Sequence, residues 1–360
     1  MASTVADSIR SEQIAPGVRV HHLVRTAAPL RIHVLDVDLA SCVTPRALKG
    51  APTAVGRKTT SELLRELPAA DVPIAAVNAD FFAFTPNGVP TSALIVDGQW
   101  LAGPVTRPML SFDAHNRPTI GQMTVSGAVI TSRGRVPLST WNRPTANAIG
   151  IVDAAWGQPL DSLSRPGAMQ LVPVDRTPAS AMSARRYRIA ELPAVHTGRA
   201  RGDTIMLVGS ARASVLIGDT VRIETSVTPA GQRNAVGGFP LLVRDSAIVA
   251  TVDTDGAASF RAVNPRTAAG FSSNGRRLLL VVIDGRQVGY SVGSTIRETA
   301  AIMRDLGARD AVNLDGGGSS ALVVRDASTG TIRVMNKPSD AVGERPVGDA
   351  LAITGRCVQR

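Results

Sequence analysis

The sequence predicts an α+β protein: a mixed β-sheet with a βαβ unit near the C-terminus and a β-rich insertion before it. Three observations predict this. Glycine (33) and proline (23) are plentiful and the Val/Ile/Leu clusters are short, which favours many short strands joined by turns. One amphipathic segment, STIRETAAIMRDLG (294–307), lies between two apolar runs, LLLVVI and AVNL. The stretch 122–235 is made of short strand-like pieces rich in Pro and Arg.

The elements follow in chain order. RIHVLDVDLA, within 18–39, alternates as a strand does. TTSELLRELP (59–68) reads as a short helix, with Thr60 or Ser61 as N-cap and Pro68 as stop. PIAAVN (73–78) is a buried strand running into ADFF. SALIVDGQWLA (92–102) is a hairpin turning at Asp97-Gly98, and MLSFDAHNRPTIG (109–121) is a second one. Residues 122–235 read either as an insertion or as a plain continuation of one sheet, within a single domain spanning 1–360. RTAAGF (266–271) and RRLLLVVI (276–283) form a hairpin around Asn274-Gly275. In the helix that follows, Ile296, Ala300, Met303 and Leu306 share one face, Thr295 and Glu298 fit a capping box, and Gly307 fits the stop. AVNL (311–314) closes the βαβ unit.

Composition narrows the function classes. The chain has 360 residues, 44% of them hydrophobic and 19% charged, enough for a proper core. Its formal net charge is +10, carried almost wholly by arginine, since only Lys49, Lys58 and Lys337 are lysines. That bias reads as a compositional trait or as attraction to phosphate-bearing polymers. Nucleic acid is disfavoured, because aromatics are 3% and the arginines are scattered rather than interleaved with stacking rings. No apolar run approaches the length of a membrane span. MASTVADSIR lacks an apolar signal core. That leaves a cytosolic protein, or an exported one (extracellular or cell-wall) whose leader is absent. Cys42 and Cys357 are two free thiols or one bridge between an early strand and the C-terminal tail. The oligomeric state is not legible.

The chemistry concentrates in NLDGGGSSALVV (313–324). In a βαβ unit the strands are parallel, so Asp284 and Asp315, each just past a strand, leave the sheet at one edge. The crossover helix begins there and brings Ser294, Thr295 and Glu298. The hairpin register brings Arg266 and Thr267. Gly316, Gly317 and Gly318 then allow backbone N–H groups to approach an anion. Ser319 and Ser320 add hydroxyl donors, and Arg266 a forked permanent charge. Neither a GxxxxGK[ST] nor a GxGxxG pattern occurs, and the five histidines show no triad or metal spacing. No cofactor and no metal are therefore expected.

These residues resemble the phosphodiester glycosidase family. The likeness runs through NPRTAAGF, LLLVVIDGR, GSTIRETAAIMRDLGARDAVNLDGGGSSALVV and NKPSDAVGERPVGDALAI, over about 264–353. AAVNADFF and GGFPLLV (237–243) extend it upstream. The resemblance implies hydrolysis of a sugar-1-phosphodiester at the glycosidic bond of a phosphorylated carbohydrate. It implies Asp315, Asp284, Glu298 and Arg266 as catalytic groups. Around the substrate it implies Asn78, Asp80, Gly237, Gly238, Thr267, Gly316–Gly318 and Arg345, to which the placement of the residues adds Thr295, Ser319 and Ser320. Where the family has two glycines after the asparagine, this chain has Ala79 and Asp80. The extra carboxylate and Cβ would narrow the site and bear on sugar choice. Two other readings stand beside this one. The same pocket would serve a module that binds phosphorylated glycans without cleaving them. Asp80, Asp284 and Asp315 would serve a metal-dependent phosphodiesterase as ligands.

Overall fold

A computed structural model describes residues 6–85, 87–145, 148–160, 167–174, 185–191, 202–209 and 215–355. The expected α+β class does not hold. The chain is 47% strand and 10% helix, arranged as several sheets that approach a barrel. The error lies in one pairing. Strands Arg277–Ile283 and Asp310–Asn313 were expected to be parallel neighbours. Instead Arg266–Phe271 runs between them, antiparallel to both. The hydrophobic pattern identified the elements but did not say which strands pair. Every other pairing in that sheet is antiparallel too, so it is not mixed. Among the described residues, the only named parallel pair is Thr140–Trp141 with Gly150–Val152.

That eight-stranded sheet joins the two ends of the chain. Leu30–Asp38 pairs with Arg277–Ile283, Leu35 standing opposite Leu280. The helix Ile296–Asp305 packs Ile296, Ala300, Ile302 and Met303 onto one face of this sheet with Leu279, Val281 and Ile283. It starts with the expected capping box between Thr295 and Glu298, and Gly307 stops it in the left-handed region. The other face joins a larger core that includes Val77, Leu280, Val312, Leu322 and Leu351.

A five-stranded sheet lies against that core. Its centre is Pro73–Asn78, flanked by Leu322–Arg325 and Ala350–Gly355. All six residues of Pro73–Asn78 are buried, so it reads as a continuous apolar run rather than an alternation. The short helix Thr60–Arg65 packs beside it. Its N-cap is Thr59, not Thr60 or Ser61, because Thr59 and Glu62 have the spacing that closes a reciprocal box.

Both expected hairpins form. Leu94–Val96 and Gln99–Ala102 turn through Asp97 and Gly98 at φ 50° and 87°, the geometry an Asp-Gly pair favours. Pro108–Asp113 pairs with Pro118–Gln122. Between Thr124 and Thr228 another eight-stranded sheet encloses its own cluster, including Val129, Leu171, Tyr187 and Ile223. Cys42 is not a free thiol. The expected alternatives for Cys357 fall outside the described residues. No helix among the described residues is long and apolar enough to cross a membrane.

Candidate active site

The site forms where strand ends from two sheets meet. Pro73–Asn78 delivers Asn78, then Ala79 and Asp80; Asp310–Asn313 delivers Leu314 and Asp315. The Asp315 amide donates to the Ala79 carbonyl at 2.8 Å. Asn78 clamps the junction. Its Nδ2 donates to the Asp315 carbonyl at 2.6 Å, and its Oδ1 accepts from Thr267 Oγ1 at 2.7 Å and from the Ala321 amide at 3.1 Å. Asn78 and Thr267 are fully buried. Together they tie the Asp315 backbone to the neighbouring strands.

Three carboxylates gather at this junction. Asp80 and Asp349 are buried, whereas Asp315 is partly exposed. The Asp80 amide donates to Asp349 Oδ1 at 2.7 Å, and Asp80 Oδ2 accepts from the Ser92 amide at 2.6 Å. Behind them Lys49 Nζ donates to the carbonyls of Gly56, Gly88 and Gly348 at 2.9, 2.5 and 2.5 Å. Desolvation dominates the protonation equilibria. It pushes the Asp315 carboxyl up to about 7, with the Asp80 charge adding to the rise and the Ser319 hydroxyl and Arg345 opposing it. Burial also raises Asp80, against the Ser92 amide, Arg107 and Arg143. It raises Asp349 well above the usual carboxylate range and lowers Lys49. A carboxyl balanced near neutrality suits acid–base work.

The triple glycine also has a local explanation. The block forms a tight turn in which the Gly317 amide donates to the Pro265 carbonyl at 2.9 Å, and Ser319 and Ser320 donate back to Gly316 and Gly317. Of the three glycine amides, that of Gly317 is spent on Pro265 and that of Gly316 turns to the Asp315 carboxyl, so part of the expected N–H cradle is taken up within the chain. What comes close to the backbone is the protein's own charge. A Cβ on Gly318 would lie 2.2 Å from Asp340 Oδ1 and 2.3 Å from an Arg345 nitrogen; one on Gly317 (φ 62°) would approach the Arg286 guanidinium at 3.2 Å. Arg345 is held by Asp340 through two bonds, at 2.8 and 3.1 Å. The Ser319 hydroxyl lies against the Asp315 carboxyl, while the buried Ser320 hydroxyl finds no hydrogen-bond partner. Such a group calls for a ligand or water. Gly316 sets a test of this packing. Its added Cβ would meet the Pro265 carbonyl at 2.7 Å, and backbone cannot swing aside. Gly316→Ala is expected to cost about 1–3 kcal/mol in denaturant unfolding.

Three of the expected catalytic groups are occupied elsewhere. Asp284 leaves the sheet at the same margin as Asp315, because two antiparallel steps restore strand direction. Its carboxylate is buried, however, and takes four donors: His33 Nε2 at 3.0 Å, Tyr290 at 3.3 Å, Asn336 at 3.1 Å and the Lys337 amide at 3.0 Å. Glu298 lies on the helix surface and serves the cap with Thr295. Arg266 stands opposite Ile283, next to Asp284 in the chain as expected, but its guanidinium donates to the carbonyls of Ser294, Phe260 and Ala262. Burial, with the nearby Arg286 charge, lowers it to about 10. Gly237 gives passage to Asp80 and Ser92, and Gly238 to the Asn313 carbonyl.

The sequence reading missed Lys49, Arg107, Arg143, Arg286, Asp340 and Asp349. Asp340 and Asp349 lie inside the NKPSDAVGERPVGDALAI block, where their acidity was the available signal. Arg107 stacks over Phe239 at 5.1 Å and donates to Thr91 Oγ1, which faces Asp80. Phe239 contacts Phe260, which contacts Phe81, the neighbour of Asp80. All three rings are partly exposed and give the site an apolar flank. Among the described residues no three His, Cys, Asp or Glu side chains converge as a metal site would require. The expected Asp80–Asp284–Asp315 ligand set is not assembled, since Asp284 is saturated by its own partners.

Residues 193–354 match the phosphodiester glycosidase family. No curated protein matches the sequence. Similar solved structures include a hypothetical protein from Synechocystis, with TM-score 0.76 and 22% identity over 98% of this chain and 64% of that one. A Burkholderia pseudomallei K96243 protein, named as a candidate for export, has TM-score 0.64 and 25% identity over 92% and 75%. The catalytic domain of zebrafish N-acetylglucosamine-1-phosphodiester alpha-N-acetylglucosaminidase, auto-inhibited by its pro-peptide, has TM-score 0.50 and 14% identity over 98% and 86%. The chain thus spans 64% of the length of the Synechocystis protein. The Synechocystis and zebrafish likenesses speak for the fold alone.

Proposed function

With residues 193–354 a match to the phosphodiester glycosidases, we propose that this chain hydrolyses a sugar-1-phosphodiester at its glycosidic bond. One observation carries the reading: the carboxyl of Asp315, a partly exposed residue, is raised to about 7 beside Arg345 and the Ser319 hydroxyl. A module that only holds an anion has no use for a carboxyl tuned to neutrality.

The chemistry follows from charge. The bond between the anomeric carbon and the bridging oxygen breaks, and its electron pair leaves with the phosphate. The sugar becomes oxocarbenium-like as the phosphate gains negative charge. Ser319, Ser320, Arg345 and Arg286 receive that charge. Asp315 faces the anomeric carbon and takes a proton from the attacking water. Asp80, buried behind it, acts through Asp315 by holding its carboxyl up. Phe81, Phe239 and Phe260 provide the apolar wall against which a sugar or its aglycone lies. An anionic glycan conjugate suits the surplus of arginine.

Hydrolysis of N-acetylglucosamine-1-phosphodiester in H2¹⁸O is the direct test. Label in the released sugar supports the assignment, whereas label in phosphate means P–O cleavage and overturns it.

The pH profile is a second expected outcome. As a base Asp315 works when ionised, so kcat rises with pH through about 7. Asp80→Asn removes the like charge and lowers the Asp315 pKa, which moves the rising limb to lower pH. A limb that stays in place, or moves up, contradicts the role given to Asp80.

A further inference from the structure

A cavity of about 560 Å³ opens between the Leu94–Ala102 hairpin and the Thr124–Thr228 sheet, and no member of the carboxylate cluster lines it. Its size is that of a pocket for a small organic ligand. Trp100 and Trp141, two of the three tryptophans in the chain, stack in its wall with centroids 6.3 Å apart and planes 19° from parallel. Trp100 is buried beneath, and Trp141 is partly exposed.

The wall is held rigidly. Trp141 Nε1 donates to Asp153 Oδ2 at 3.3 Å, and Asn142 Nδ2 ties Asp153 Oδ1 to the Trp100 carbonyl, at 2.8 Å to each. Asp97 is bound by Arg46, and Asp203 by Arg185. Around this frame, Gln99, Thr204 and Arg233 also line the cavity. Among the described residues their side chains make no hydrogen bond or ion pair.

We propose that this groove is a second, non-catalytic saccharide-binding site. A flat, partly exposed indole fits the C–H face of a pyranose, and an amide, a hydroxyl and a guanidinium fit its ring hydroxyls. Asp97 and Asp203 are paired with Arg46 and Arg185, which leaves Asp153 and Arg233 as opposed charges on the wall and no surplus cation for a phosphate, so the occupant is a neutral sugar unit of a longer glycan. A hydrogen-bonded path also links the groove's wall to the carboxylate site. Arg143, two residues after Trp141, donates to the carbonyls of Pro90 and Ser92, and the Ser92 amide binds Asp80.

The test is binding, independent of turnover. Chitotriose, maltotriose and cellotriose are titrated against the full chain while tryptophan emission is followed. At least one is expected to give a saturable shift with Kd of about 1 mM or tighter. Trp141→Ala is expected to abolish it. Gln99→Ala, at an exposed position, is expected to weaken it several-fold without changing the unfolding midpoint. Hydrolysis of a small glycosyl phosphodiester is expected to be unchanged in both. No saturable shift with any of the three up to about 10 mM, or a shift that survives Trp141→Ala or is unaffected by Gln99→Ala, overturns the proposal. Failure of hydrolysis with binding intact leaves the groove standing and removes the catalytic reading instead.

Discussion

Asp315→Asn is expected to lower kcat on a glycosyl phosphodiester by about 10²–10⁴-fold, the span a positioned acid–base group contributes. The amide is nearly isosteric but cannot take a proton from water. The fold is expected to survive, for a reason that can be checked. A carboxyl whose folded pKa lies above its unfolded value stabilises the fold below the unfolded pKa and loses that contribution as pH rises through the folded one. The folded value for Asp315 is about 7 against an ordinary 3.8. Above pH 7 the wild type therefore carries a poorly solvated charge that the variant lacks. Urea unfolding at pH 8 is expected to give Asp315→Asn a midpoint equal to or above wild type. Retained turnover sinks the catalytic role, and a sharply lower midpoint sinks the account of the shift.

Asn78→Leu is expected to be the most damaging single change to stability at the site. Three buried groups lose their partner together: the Asp315 carbonyl, the Thr267 hydroxyl and the Ala321 amide. Each stranded group costs about 1–3 kcal/mol, so a loss of at least about 3 kcal/mol is expected in urea unfolding. Turnover falls as well, since the backbone of Asp315 is no longer clamped. A loss under about 1 kcal/mol would mean that the clamp relaxes onto water.

The sequence revealed what is local. The Asp97-Gly98 turn, the hairpin around Asn274-Gly275 and the Thr295–Glu298 box each rest on a few adjacent residues with a strict conformational demand. Asp315 and the glycine block were visible for the same reason. The strand order was not, because an apolar strand carries no label for its neighbour. Reading Arg277–Ile283 and Asp310–Asn313 as adjacent put an α/β element into a β protein. The mistake spared the position of Asp284, since both strands still run the same way, but its partners were not legible, because one of them, His33, comes from a strand far away in the chain. Lys49, Arg107 and Arg143 were hidden differently. In a chain whose net charge comes from scattered arginines, a cation that faces Asp80 looks like any other until the fold closes.

The way the two sheets are stitched bears on synthesis. Pro73–Asn78 emerges early but waits for Leu322–Arg325 and Ala350–Gly355 to complete its sheet, and Leu30–Asp38 waits for Arg277–Ile283. Such distant partners make assembly slow and leave apolar edges uncovered on the nascent polypeptide. A fragment cut to residues 193–354 would inherit the family signature but neither Asn78 nor Asp80, and so would carry the glycine turn without the clamp that aims it.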